Sequence, residues 1–263
     1  MTNQDHRAEL TALILAGNRA GQADPLALQA GVSHKALLPV AGTPMILHVI
    51  GALQACPSIG RIVVSTERAD VLPGPLQHAP GILARSAASS PSESVAAVLQ
   101  EFGAPLLVTT ADHALLSREI LEHFIATASK DADAVAAVAR SQVVLTAYPG
   151  NSRTWLLFRD GAFSGCNLFL LRTPLAARAV RFWRTVEQQR KRPLAMARLI
   201  GPAALLGYML RLLTLQGALR MLERRIGVRL AVTEVPFADA AIDVDKPADL
   251  ILVEAILAGR ATA

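Results

Sequence analysis

One lysine and three aspartates stand out by where they fall in the chain. Lys35 closes a long loop that opens at Gly17-Asn18-Arg19-Ala20-Gly21, directly after the apolar run from Leu10 to Ala16. Glycines such as Gly17 and Gly21 let backbone N–H groups approach an anion, and Arg19 and Lys35 add positive charge. An ordinary strand-to-loop turn with solvated basic residues fits the loop equally well. Asp112 follows a second apolar run, Leu106 to Thr110. A carboxylate at the carboxyl end of a buried strand points into the crevice where open α/β sheets bind ligands. A hard cation such as magnesium needs only one or two such carboxylates beside phosphate oxygens and water. The competing reading of Asp112 is a helix cap ahead of Ser117. Asp243 and Asp245, far away in sequence, share one side of an extended segment, because side chains alternate there with period two.

The elements that must position these groups follow from hydrophobic patterning. Leu10 to Ala16 is continuously apolar and ends in glycine, as expected of a parallel strand buried on both faces. Further strands are predicted at Arg61–Ser65, Pro105–Thr110, Ala134–Ala139, Cys166–Leu171 and Val228–Val235. Helices are predicted at Pro44–Ala55, Ser92–Phe102, Ser117–Ser129, Pro174–Gln189 and Pro247–Leu257, with Ser92 or Ser94 and Ser117 as starters. Strands alternating with helices imply a three-layer α/β sandwich: a mostly parallel, Rossmann-like sheet with helices on both faces. Residues 1–263 read as one domain. Two nucleotide loops of such folds are excluded here. After the first strand only Gly17 and Gly21 are available for G-x-G-x-x-G, and Lys35 does not follow the glycine pair a Walker-type loop requires.

Composition narrows the class. Of 263 residues, 26 are Lys or Arg and 21 Asp or Glu, a net charge of +5, while 52% are hydrophobic and 4% aromatic. A chain so apolar is not disordered. Scarce stacking aromatics and the lack of a recognised motif argue against nucleic acid as a partner. Cys56 and Cys166 alone cannot form a disulfide framework or a Cys-based zinc site. With a polar start and no apolar run of about 20 residues, the expected setting is cytoplasmic. From about 190 to 228 the texture becomes basic and helical, and reads as an elaboration of the same domain. Two or three short helices are expected there, broken by Pro193, Gly201-Pro202 and Gly217. Three readings suit its arginines from Arg198 to Arg225: a solvated cap, an anionic acceptor site, or a peripheral membrane contact.

The continuation from Lys35, KALLPVAGTPM, resembles the K-x-L-x-P-V-x-G-x-P-M run of nucleotidyltransferases with the glycosyltransferase-A-type fold, in particular the molybdenum-cofactor guanylyltransferase-like (MobA-like) family. The likeness extends along nearly the whole chain and implies a nucleotide-diphospho-sugar transferase type of sheet. It implies that Leu15, Ala16, Gly17, Asn18 and Gly21 bind the nucleotide, with Arg85 and Ser94 near the base. It also implies that Lys35 and Arg19 serve the triphosphate, and that Asp112 and Asp245, with Asp243 as competitor, hold Mg2+ or Mn2+. Asn167 and His113 would face the acceptor, although a packed histidine and a locally satisfied asparagine are the plainer readings of those two residues. Asp249, in the first turn of the last helix, favours the helix dipole. One departure is visible: Asn18 stands where many relatives carry a second glycine, and Gln22 or Ala23 falls in the usual arginine region.

The implied reaction is attack by an acceptor oxygen on the α-phosphorus of an NTP, with GTP or CTP favoured by the resemblance. Pyrophosphate leaves, and the acceptor is a phosphorylated small molecule or a lipid-linked phosphate. Two other readings remain: a glycosyltransferase of the same fold using a nucleotide sugar, and a nucleotide-binding regulatory protein without turnover.

Overall fold

A computed structural model of the chain describes residues 10–17, 24–151, 153–189, 199 and 201–261. Strand β1 (Leu10–Leu15) lies at the centre of the sheet, between β4 (Ile59–Thr66) and β6 (Leu106–Thr110). It pairs parallel to both, with Leu13 opposite Val63 on one side and Val108 on the other. Its unbroken apolar run is needed because both faces are covered. Ala12 and Ile14 enter the larger core, Leu13 enters a second core on the opposite face, and all three are fully buried.

The full sheet has β10 (Leu230–Glu234), β7 (Ala134–Arg140), β9 (Gly161–Leu171), β6, β1, β4 and β5 (Ile82–Ser86) in that order, with β8 (Leu156–Phe158) paired to β9. Pairing is parallel except that β9 runs antiparallel to β6, β7 and β8. The predicted strand at Cys166–Leu171 is thus the second half of a longer one. Its start, Gly161-Ala162-Phe163-Ser164-Gly165, lacks the apolar density by which buried strands are read. β5 was not predicted as a strand at all. It is an edge strand in which Ile82 alone is buried and half-buried positions alternate with exposed ones after it, and Arg85 and Ser86 break the apolar signal.

One face of the sheet carries α2 (Met45–Gln54), α5 (Arg118–Thr127), α6 (Ser141–Ala147) and α10 (Pro247–Ala261). In α2 the buried Met45, Ile46, Val49, Ile50 and Leu53 form one stripe at helical spacing. The other face carries α4 (Pro91–Phe102) and α7 (Ala176–Gln189), which pack on each other. Helix α4 starts one residue earlier than predicted. Ser90, not Ser92 or Ser94, accepts the Glu93 N–H, and Pro91 takes the first helical position, where its missing N–H costs nothing.

In the basic segment, α8 (Pro202–Met209) begins at Gly201-Pro202 as expected. Gly217 does not break a helix. It lies in the first turn of α9 (Leu215–Ile226), where its N–H donates to Thr214 Oγ1 at 3.0 Å, and the helix ends at Gly227 in the left-handed conformation. Pro193 and Arg198 lie outside the described residues. Short α1 (Pro25–Gln29) follows β1, and short α3 (Gly74–Gln77) lies between β4 and β5. No described helix is long and apolar enough to cross a membrane.

Candidate active site

The lysine loop is built by its own motif. Lys35–Leu37 form a single 3₁₀ turn whose N–H at Ala36 donates to His34 Nδ1 at 3.0 Å. His34 Nε2 lies 3.3 Å from Glu67 Oε1. Burial outweighs Glu67 and lowers the imidazole pKa, so His34 is neutral and can accept through Nδ1. Strand β2 (Pro39–Val40) then pairs with β3 (Thr43–Pro44) in a two-residue hairpin. Its turn needs positive φ at both central residues, supplied by Ala41 at 48° and Gly42 at 79°. The Met45 N–H donates to Leu38 O at 2.8 Å and ties the hairpin to α2. The conspicuous KALLPVAGTPM run is therefore a rigid mount for one ammonium group.

Two further segments converge on that ammonium. Beyond β6, Ala111 N–H donates to Leu15 O at 3.0 Å, and Thr110 Oγ1 donates to Asp112 Oδ1 at 2.6 Å. Val244 N–H donates to Asp112 O at 3.0 Å, strapping the Asp243–Asp245 segment beside it. Asp249 Oδ2 accepts N–H groups from Asp245 and Lys246 at 3.1 and 2.9 Å, a cap at the start of α10. As a result Lys35 Nζ sits 2.9 Å from Asp112 Oδ2 and 2.7 Å from Asp245 Oδ1. Burial works against the lysine charge, but the two carboxylates outweigh it and hold the pKa above the ordinary value. The group stays an ammonium at any physiological pH.

These groups line a cleft of about 630 Å³ at the carboxyl ends of β1 and β6. Leu15, Ala16, Gly17, Lys35, Asp112, Asn167 and Asp245 all border it. At Gly17 a Cβ would come within 3.1 Å of Ala87 Cβ, a tight contact that a larger residue would have to relieve by shifting the neighbouring chain. Asn18, Arg19 and Gly21 lie outside the described residues.

Four expected site residues behave differently. His113 is 1% exposed, and burial lowers its pKa to about 4. It is a neutral core histidine 3.5 Å from Thr109 Oγ1 and cannot meet an acceptor. Arg85 points along the sheet edge, where it grips both oxygens of Glu101 and lies over Phe102. Ser94 is buried, and its Oγ accepts the Ala88 N–H at 2.9 Å. It shapes the loop before α4 and is not among the residues that line this cleft. The carboxylate of Asp243 is already engaged: Arg153 donates to Oδ1 at 2.7 Å and Asn167 Nδ2 to Oδ2 at 2.9 Å.

Arg153 escaped sequence reasoning because a lone arginine in a loop carries no pattern. The Thr110 hydroxyl two residues before Asp112 was readable as a carboxylate partner. Asn167 has φ of 46°, a conformation L side chains rarely adopt. It occupies an irregularity in β9: opposite the step from Ala136 to Val138, the strand runs from Phe169 to Gly165. The bulge aims its amide at Asp243.

The donor set suits a hard divalent cation. Two carboxylates from distant segments already flank one cationic point, and oxygen donors are what magnesium and manganese prefer. Among the described residues no cluster of three or more His, Cys, Asp or Glu could hold a metal unaided, so phosphate oxygens and waters would complete the shell.

Residues 12–230 match the family described as MobA-like NTP transferase domain. The chain belongs to that family. No curated protein matches it. Among solved structures it is similar to a hypothetical transferase from Thermus thermophilus, with 32% identity, a TM-score of 0.79, and coverage of 92% of this chain and 99% of that one. It also shares its fold with a CMP:2-keto-3-deoxy-manno-octonic acid synthetase complexed with CTP, at 14% identity and TM-score 0.56, covering 95% of this chain and 99% of that one. A 4-diphosphocytidyl-2C-methyl-D-erythritol synthase from Anaerococcus prevotii gives 12% and 0.57, with 96% and 97% covered. The MobA-like NTP transferase membership thus agrees with the mixed α/β fold shared with these structures.

Proposed function

We propose that the protein transfers a nucleotidyl group from GTP or CTP to a phosphorylated acceptor, with release of pyrophosphate. The observation that carries this reading is the Lys35 ammonium held between Asp112 and Asp245 in a cleft at the strand ends. An acceptor phosphate oxygen attacks the α-phosphorus, the bond from that phosphorus to the α–β bridging oxygen breaks, and the bridging oxygen leaves with the β- and γ-phosphates. A phosphate is already a nucleophile near neutral pH, so no general base is required. Lys35 draws charge toward the leaving pyrophosphate, Gly17 leaves room for the phosphates beside β1, and Asn167, which borders the cleft, would face the acceptor. Asp112 and Asp245 would hold Mg2+ or Mn2+, which when bound lowers the repulsion between the two anions. The CTP bound by the keto-deoxy-octonate relative, and the cytidyl product named for the erythritol enzyme, favour CTP over GTP.

A thermal-shift screen of the four nucleoside triphosphates with magnesium tests the donor. A nucleotide at 100 times its Kd adds about 2.7 kcal/mol to the native state, or roughly 5–10 °C in a domain of this size. Pyrophosphate release is then followed with the selected nucleotide and a panel of phosphorylated acceptors. No shift with any nucleotide and no pyrophosphate would end the proposal.

One observation favours a peripheral lipid contact in addition. Leu206, Met209, Leu210 and Leu212, in and after α8, are 58–70% exposed, with Arg211 among them. Apolar side chains beside arginine suit the headgroup boundary of an anionic bilayer. The protein should float with anionic vesicles and not with neutral ones, and Met209→Glu with Leu212→Glu should abolish flotation.

A further inference from the structure

Behind the polar cleft lies a second pocket, made entirely of apolar walls. Its floor is the sheet face presented by β7, β9 and β6, including Ala136 and Val108, and its roof is α7 and α9, through residues such as Ala179 and Leu222. The pocket measures about 260 Å³. Interiors close-pack and leave few voids larger than a water molecule. An apolar cavity of roughly 150 Å³ already admits a benzene-sized guest and excludes water. Alanines on both floor and roof create the space here, at positions where larger apolar side chains would fill it. Ala136 and Ala179 are only partly buried, although each lies between sheet and helix.

The two pockets share a wall. Phe169 and Trp183 line both, and their rings stack with centroids 6.1 Å apart. On one side of this aromatic pair are Lys35, Asp112 and Asn167; on the other there is no charged side chain among the lining residues. A ligand that reaches around the pair is therefore required to be anionic at one end and apolar at the other.

The geometry points to an acceptor that is an amphiphilic phosphate, with its phosphate in the cleft and an alkyl or other apolar substituent in the pocket under α7 and α9. This rests on the proposed function for what the cleft does and adds the chemical class of the acceptor. Lipophilic chain phosphates fit that class, whereas polyhydroxylated sugar phosphates do not, since nothing in the pocket satisfies their hydroxyls.

Direct binding tests the assignment without turnover. The chain has two tryptophans, Trp155 and Trp183, so a Trp155→Phe protein reports from the shared wall alone. It is titrated with inorganic phosphate and with methyl, butyl, hexyl and octyl phosphate below their micellar concentrations. Affinity should rise about fourfold per methylene until the pocket is full, the fold-change expected for moving each group out of water. Ala136→Phe fills the pocket from the sheet and Ala179→Leu from the helix. Each should reduce octyl phosphate to the affinity of methyl phosphate while leaving methyl phosphate unchanged, and circular dichroism identifies any variant that fails to fold. Octyl phosphate binding no tighter than methyl phosphate would overturn the assignment, as would equal octyl phosphate affinity in wild type and in both folded filling variants. An intact chain-length series together with no pyrophosphate from any nucleotide would sink the proposed transferase reaction and leave the pocket assignment standing.

Discussion

Asp243 and Asp245 are two residues apart, yet they occupy opposite electrostatic situations. Asp245 is 59% exposed, its side chain meets the movable end of Lys35 alone among the described residues, and it faces the cleft. Asp243 is 18% exposed and is locked by Arg153 and Asn167. Burial lifts its carboxyl above the usual range, Arg153 opposes that lift, and the neighbouring Asp112 and Asp245 add to it. One carboxylate is placed to exchange partners, the other to hold a loop, a strand bulge and the segment before α10 in one arrangement. A D-x-D pattern therefore does not by itself assign two metal ligands. What separates them is what each side chain meets in the fold.

The largest test of this contrast removes the lock. Arg153→Met leaves Asp243 buried without its counter-charge, which should cost about 3–5 kcal/mol in urea unfolding. Adding Asp243→Asn should recover more than half of that loss, because the uncompensated charge is gone. An Arg153→Met protein as stable as wild type would show that Asp243 is not an anchor.

Next in size is the exchangeable side. Lys35→Ala should lower turnover about 10²–10³-fold, as expected on losing one charge-stabilising donor. Stability should fall by about 1–3 kcal/mol, less than on losing Arg153, because Asp112, only 21% exposed, loses its counter-charge but keeps the Thr110 hydroxyl, while Asp245, 59% exposed, stays hydrated. Pyrophosphate release and urea unfolding on the same preparation separate the two effects. Wild-type-like turnover by folded Lys35→Ala would remove the lysine from the chemistry.

The half of the site made of Lys35, Asp112 and Asp245 was legible, from local runs and from the family resemblance, and the half made of Arg153, Asp243 and Asn167 was not. β1 and β6 announce themselves because strands buried on both faces must be continuously apolar. Lys35 is marked by a motif whose proline, glycine and hydrophobic positions are each demanded by the hairpin and α2. Asp112 inherits its place from the end of β6. Nothing in the sequence pairs Arg153 with Asp243, or shows that the bulge at Asn167 aims its amide there. Periodicity did not distinguish Ser90 from Ser92 as the cap of α4, and the edge strand β5 was masked by Arg85. His113 adjoins Asp112 in sequence, but the turn after β6 sends it into the core.

That turn gives a pH test of intermediate size. His113 has a folded pKa of about 4 against an ordinary 6.5, so the unfolded chain binds the proton more tightly. Stability is complete above about pH 6.5 and falls as pH drops toward 4, by about 3 kcal/mol for the full shift. His34, also lowered by burial, adds to the same slope. His113→Gln should be less stable at neutral pH yet lose most of this slope, as followed by urea unfolding from pH 7.5 to 4. An unchanged slope would place His113 in contact with solvent or with a charge that shares its proton.

The smallest effect sharpens the contrast most. Asp245→Asn keeps an oxygen that can accept from Lys35 and leaves the Asp249 cap of α10 intact, since that cap uses the backbone N–H of residue 245. An exposed ion pair contributes about 0–1 kcal/mol, so unfolding should shift by less than that. The same exchange at Asp243 replaces an acceptor-only carboxylate with an amide that must present a donor to Arg153 or to Asn167, and should cost more. Manganese binding followed by electron paramagnetic resonance, in the presence of the selected nucleotide, completes the comparison. Asp245→Asn should weaken it strongly, whereas Asp243→Asn, once folded, should weaken it little. Equal losses of manganese affinity in both variants would mean that Arg153 releases Asp243 when nucleotide arrives, and the division between anchor and ligand would fall.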